Sequence, residues 1–150
     1  MKLRIYPPIV MLIFGLAMFG LAKLLPVGYF DFFGRIPLSK VLIVVVGLIF
    51  FFSIFKFNTA KTTVNPIAPE KASKLVTSGI YKYSRNPMYL AMLLLLLAWG
   101  LRLGNAFNVL IAAGFVSYIN KFQISLEEAA LSDKFGKDYR LYCKKVRRWF

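Results

Sequence analysis

The stretch PMYLAMLLLLLAWGL, from Pro87 to Leu101, runs fifteen residues without a charge, and Ser84-Arg85-Asn86-Pro87-Met88-Tyr89 sets a polar turn against its start. A run that is apolar on every side has no face to offer water, so it reads as a helix inside a bilayer. Pro87 can open that helix where a missing N–H costs nothing, and Tyr89 falls within its first turn. Three other uncharged runs accompany it: Ile5 to Ala22, Val41 to Phe55 and Leu103 to Asn120. Each reaches membrane length if snorkelling Lys or Arg side chains extend its ends. The fifteen-residue runs fall short of the roughly 20 residues a bilayer needs. Lys40 and Lys56 are therefore expected to flank the second helix at the interface rather than to end it. Only Arg102 and the Gly104-Asn105 turn separate the third and fourth runs, which predicts a tight helical hairpin. The fold expected is all-α and integral to the membrane, with four transmembrane helices, the last two a hairpin, and short cytoplasmic C-terminal helices. One domain spanning 1–150 is expected.

Composition excludes a soluble basic domain: 59% of the 150 residues are hydrophobic, while Lys and Arg number 20 against 6 acidic residues. Sorted by segment, sixteen of the basic residues lie before the first run, between the second and third, or after the fourth. The other four, Lys23, Arg35, Lys40 and Arg102, lie on the opposite side. The positive-inside rule then puts both termini and the Leu75 to Tyr89 loop in the cytoplasm, in an inner or plasma membrane. No small-x-small cleavage site precedes Pro26, so the first run reads as a retained helix. A single Cys143 cannot form an internal disulfide. Thr62 to Ala72, with Pro66 and Pro69, is the one sizeable surface loop expected.

The polar signals cluster outside the apolar runs. Arg85 and Asn86 offer several hydrogen-bond donors, and Glu127-Glu128 answers them about forty residues later with the opposite charge. Ser125-Leu126-Glu127-Glu128 also matches a capping box, with Ser125 as N-cap and Glu128 reaching back from the third helical position. Tyr139, Tyr142 and Val146 recur at helical spacing after Gly136 and predict the buried stripe of a tail helix. The final stretch, Lys144 to Phe150, mixes charge with aromatics and suits a bilayer with anionic headgroups better than nucleic acid. No metal-ligand set is assigned.

In order, Leu75-Val76-Thr77-Ser78-Gly79-Ile80-Tyr81, Arg85-Asn86-Pro87-Met88-Tyr89, Glu127-Glu128 and Phe135-Gly136 with Tyr139, Tyr142 and Val146 span the C-terminal half. At these residues the chain resembles the integral-membrane, S-adenosylmethionine-dependent methyltransferases that include isoprenylcysteine carboxyl methyltransferases and phospholipid N-methyltransferases. The resemblance implies S-adenosylmethionine as cofactor, bound by elements within residues 73–150, and a lipophilic small-molecule or lipid acceptor entering from the bilayer. It nominates Leu75, Val76, Tyr81, Arg85, Asn86, Pro87, Tyr89, Glu127 and Glu128 as cofactor-binding, with positioning by Arg85, Asn86 and Glu127. Two positions depart from the family's common pattern: Asn86 stands where His is frequent, and Ala91 where Gly is. Asn keeps hydrogen-bonding capacity but is neither acid nor base near neutral pH. A soluble methyltransferase would carry a Gly-rich turn after a first parallel strand, and this chain has none.

Methyl displacement from a sulfonium needs alignment and exclusion of water rather than a covalent nucleophile. A carboxylate acceptor is already ionised at pH 7, whereas an amine must lose a proton and the chain has no His, so O-methylation of an acid is slightly favoured over N-methylation. Two readings from other classes are a small four-helix transporter and a non-catalytic lipid-binding protein. Transporters commonly place an ionisable residue within a membrane helix, and all six acidic residues here lie outside the four runs. Cofactor binding separates the enzyme from the lipid-binding protein.

Overall fold

The computed structural model describes residues 5–25, 27–60 and 73–150, among which five α-helices follow one another: α1 Pro7–Leu24, α2 Arg35–Ala60, α3 Pro87–Leu103, α4 Asn108–Ile119 and α5 Ser125–Lys145. A 3₁₀ turn, Gly79–Lys82, leads into α3, and a π-helical turn, Asn120–Ile124, joins α4 to α5 without a break. The described residues contain no strand, so the all-α expectation holds; the Thr62 to Ala72 loop lies outside them. Three helical spans are long and apolar enough to cross a membrane: α1, α2 and the continuous Asn108–Lys145. As expected, α2 runs past both Lys40 and Lys56.

At 17 residues α3 rises about 25 Å, short of the roughly 30 Å hydrocarbon core, and its place in the bundle compensates. It is the central helix, with α2 packed along it and α1 and α4 also against it. α2 buries just Ser39, Val46 and Ser53, spaced seven apart. The buried Ala91 and Ala98 of α3 share that spacing. Hydrocarbon tails give no hydrophobic drive for helix pairing, so dispersion contacts along the packed faces of α2 and α3 hold the pair. The rest of α2 is turned outward, with Val44, Leu48, Phe51 and Phe55 exposed as lipid requires. A second apolar cluster joins Val10 and Met18 of α1, Met92 and Leu96 of α3, and Phe115 and Ile119 of α4.

The hairpin forms with its boundary shifted. Leu103, expected to open the fourth helix, instead belongs to α3, and α4 begins at Asn108. Gly104 closes α3 in the left-handed conformation at φ 68°, donating to Gly100 O at 3.0 Å. Arg35 Nη1 reaches Leu101 O at 3.0 Å and Arg102 O at 3.2 Å, satisfying carbonyls the helix end leaves open.

The expected capping box is absent. Ser125 sits inside a continuous helical segment with helical backbone angles, so its neighbours' N–H groups already have partners and a cap has nothing to satisfy. Its hydroxyl instead donates back to the carbonyls of Asn120 and Lys121. The expected tail stripe is found: Tyr139, Tyr142 and Val146 are buried together, with Leu75, Leu131, Phe135 and Cys143 against them. The turn that brings this stripe inward is Gly136, whose φ of 48° and ψ of −113° break the helical path inside α5.

Candidate functional site

The N-terminus of α3 is where the polar residues converge. Asn86 is its N-cap residue and Pro87 follows at the first helical position, while the loop before it approaches α2, with Tyr81 meeting Phe57 edge to face at 5.4 Å. The aligned peptide dipoles of α3 leave partial positive charge at this end. Beside it lies a cavity of about 450 Å³, and Leu75, Val76, Tyr81, Arg85, Asn86, Pro87, Tyr89, Glu127 and Glu128 all line it. Ten residues not nominated from the sequence complete the wall. Tyr6, Pro7 and Pro8 come from the start of α1 and its approach, Phe57 from α2, and Met88 and Met92 from α3. Lys74, Leu131, Tyr139 and Tyr142 close the remaining side. The α1 and α2 contributions carry no sequence motif. Tyr139 and Tyr142, expected as part of a buried stripe, both pack in that stripe and line the cavity.

The adjacent carboxylates part company. Glu127 accepts a hydrogen bond from the Tyr89 hydroxyl. Glu128 takes Arg85 Nη2 at 3.1 Å and both Nε and Nη2 of Arg148, at 3.1 and 2.5 Å. Glu128 is therefore a structural hub, through two arginines rather than through a cap. Arg85 keeps a buried Nε with no partner among the described residues. Asn86 spends its amide inward, Nδ2 donating to Arg148 O at 3.0 Å while its backbone N–H donates to Ser84 Oγ at 3.1 Å. Tyr142 donates its hydroxyl to Tyr81 O at 2.6 Å, fastening α5 to the 3₁₀ turn. Burial pushes the Tyr81 phenol far above its usual range, so it stays neutral at any physiological pH.

The wall thus has two characters. Glu127, Arg85 and the first turn of α3 can grip a charged, polar ligand, whereas Pro7, Pro8, Met88 and Met92 present apolar surface beside them. The phospholipid methyltransferase family matches residues 35–138, more than half of the chain and all nine nominated positions. This chain belongs to that family. It is a membrane methyltransferase. An uncharacterised protein of Haemophilus influenzae is 55% identical over 62 residues, which is 41% of this chain and 98% of that protein. The protein-S-isoprenylcysteine O-methyltransferase of Schizosaccharomyces pombe is 38% identical over 72 residues, 48% of this chain but 30% of the yeast enzyme's length. No solved structure gives a significant match.

Proposed function

We propose that this methyltransferase draws its methyl group from S-adenosylmethionine and passes it to a lipophilic acceptor that reaches the cavity from the bilayer. The observation that carries the reading is the convergence of four separate stretches of chain, Leu75-Val76, Tyr81, Arg85 to Tyr89 and Glu127-Glu128, on one cavity. Its volume of about 450 Å³ falls in the range of small-molecule sites, and the donor set suits the ligand. Glu127 is the carboxylate to receive the cofactor's ammonium or ribose hydroxyls. The open N–H groups of the α3 N-terminus and the guanidinium of Arg85, which lines the cavity, are the donors for its carboxylate. Leu75, Val76 and Leu131 give apolar surface for the adenine ring. S-adenosylmethionine, when bound, supplies a methyl on a sulfonium that needs no covalent nucleophile. The residues' work is to orient that methyl toward the apolar flank at Pro7, Pro8, Met88 and Met92 and to keep water out.

On orientation, the sixteen-to-four division of basic residues supports a cytoplasmic cavity in an inner or plasma membrane. For the acceptor, a carboxylic acid is favoured because it arrives ionised and the chain has no His. An amine headgroup is the second reading, supported by the Tyr89–Glu127 pair, whose carboxylate can take up a proton. Calorimetric titration of the detergent-purified protein with S-adenosylhomocysteine tests the central claim without knowledge of the acceptor. Saturable one-to-one binding is expected; no binding at millimolar ligand would overturn it. Labelled-methyl transfer to carboxylic acids bearing an isoprenyl thioether and to phosphatidylethanolamine vesicles then separates O- from N-methylation.

A further inference from the structure

In the stretch Lys144 to Phe150, expected to suit anionic lipid, Lys144, Lys145 and Arg147 are exposed, while the Arg148 and Trp149 side chains and the carbonyls of Arg147 and Arg148 turn inward. At Val146 the backbone leaves helical geometry for an extended one, and the chain doubles back across the Arg85-Asn86 turn. Arg85 N–H donates to Arg147 O at 3.0 Å, and Asn86 Nδ2 donates to Arg148 O at 3.0 Å. Arg148 grips both oxygens of Glu128. Trp149 packs on the α1–α3–α4 cluster and donates its indole N–H to Asn120 Oδ1 at 3.1 Å, in the π-helical turn. These contacts exceed what anchoring a loose end requires, and they lie beyond Asp138, where the family match stops.

We propose that Val146–Phe150 is a working strap of the cofactor site: Arg148 is a positioning residue that sets Glu128 and through it Arg85, while the carbonyls of Arg147 and Arg148 fix the Arg85-Asn86 turn. The inference rests on the S-adenosylmethionine reading. A carboxylate shared by two guanidinium groups is held at several points, and its two-point contact with Arg148 fixes orientation as well as charge. With Glu128 so fixed, Arg85 Nη2 is tethered at 3.1 Å, which sets the place of this guanidinium among the residues that line the cavity. The hydrogen bond to Glu128 raises Arg148 further above its usual range, so this guanidinium stays charged across the physiological pH range.

The test is a titration of S-adenosylhomocysteine into the detergent-purified full chain as wild type, Arg148→Ala, Arg148→Lys, Glu128→Gln and the Glu128→Gln/Arg148→Ala double variant. Arg148→Ala is expected to weaken binding about tenfold or more, the scale of a charge-assisted contact. Arg148→Lys, which keeps charge but loses the fork, should recover part of it. In the Glu128→Gln background, Arg148→Ala should add little, because its effect travels through Glu128. Unchanged affinity in Arg148→Ala, or full additivity in the double variant, would overturn the proposal. A second measurement needs no variant: saturating S-adenosylhomocysteine should slow tryptic cleavage after Arg147 and Arg148 of the wild type by at least several-fold. Ligand binding with no change in that cleavage rate would sink the strap while leaving the cofactor reading standing. Absence of wild-type binding removes the cofactor reading and the strap with it.

Discussion

Tyr89, in the first turn of α3, donates its hydroxyl to Glu127, in the first turn of α5, while the neighbouring Glu128 is taken by Arg85 and Arg148. Two consecutive carboxylates thus have different partners and different work. Glu127 meets the Tyr89 hydroxyl, whereas Glu128 is held between two guanidinium groups.

Substitutions at the pair should separate accordingly. Glu127→Gln keeps size and removes charge, so S-adenosylhomocysteine affinity should fall by about 1.5–3 kcal/mol. Glu128→Gln should lower both affinity and thermal stability, because it leaves two arginines without their counter-charge. Calorimetry paired with thermal denaturation in detergent reads the two effects, and an unchanged affinity in Glu127→Gln would remove that residue from the site.

Asn86→His offers a ring N–H in place of the amide that reaches Arg148 O, so cofactor affinity and activity should be retained. Asn86→Leu strands that carbonyl and should weaken binding by about 1–3 kcal/mol. Titrations between pH 6 and 8 should show no new ionisation controlling binding in Asn86→His. Full affinity in Asn86→Leu would mean that the turn does not hold the ligand.

Gly136 adopts a φ of 48° with no atom within 4 Å of where a Cβ would sit. Gly136→Ala should therefore cost about 1–3 kcal/mol through the backbone alone. Gly47→Ala, in the interior of α2 and equally open, should be neutral or stabilising by about 0.5–1 kcal/mol. Equal melting temperatures for the two variants would contradict the kink.

Ala98 of the central helix is 1% exposed, so Ala98→Leu should destabilise by about 1–3 kcal/mol or more. Leu48→Ala, on the outward face, should change stability far less. Thermal denaturation in detergent compares the pair, and a harmless Ala98→Leu would show that the interface has room the packing does not indicate.

Reporter fusions at either terminus should report the cytoplasm, from the division of basic residues. An exported reporter after Phe150 would put Glu127 and Glu128 across the membrane from the cytosolic cofactor supply.

The chain's apolar runs determined much without any fold: four apolar helices, a hairpin at Gly104-Asn105, Pro87 opening α3, and the buried Tyr139-Tyr142-Val146 stripe. These follow from local rules, since an uncharged run needs a bilayer, proline suits a first helical turn, and helical spacing gathers a face. Motif resemblance also named nine residues that prove to share one cavity. The stripe of Ser39, Val46 and Ser53 was present as a spacing of small residues, legible only once a partner helix gave it meaning. The fates of Ser125 and Glu128 were settled by tertiary structure. A capping box looks the same in sequence whether a helix begins there or passes through, and the π-helical turn carries α4 straight into α5. Likewise nothing local tells Arg148 to leave the headgroups for a carboxylate twenty residues earlier. That choice depends on Gly136 and Val146 redirecting the backbone until Glu128, Arg85 and Arg148 lie within hydrogen-bond reach, where one shared carboxylate binds two guanidinium groups.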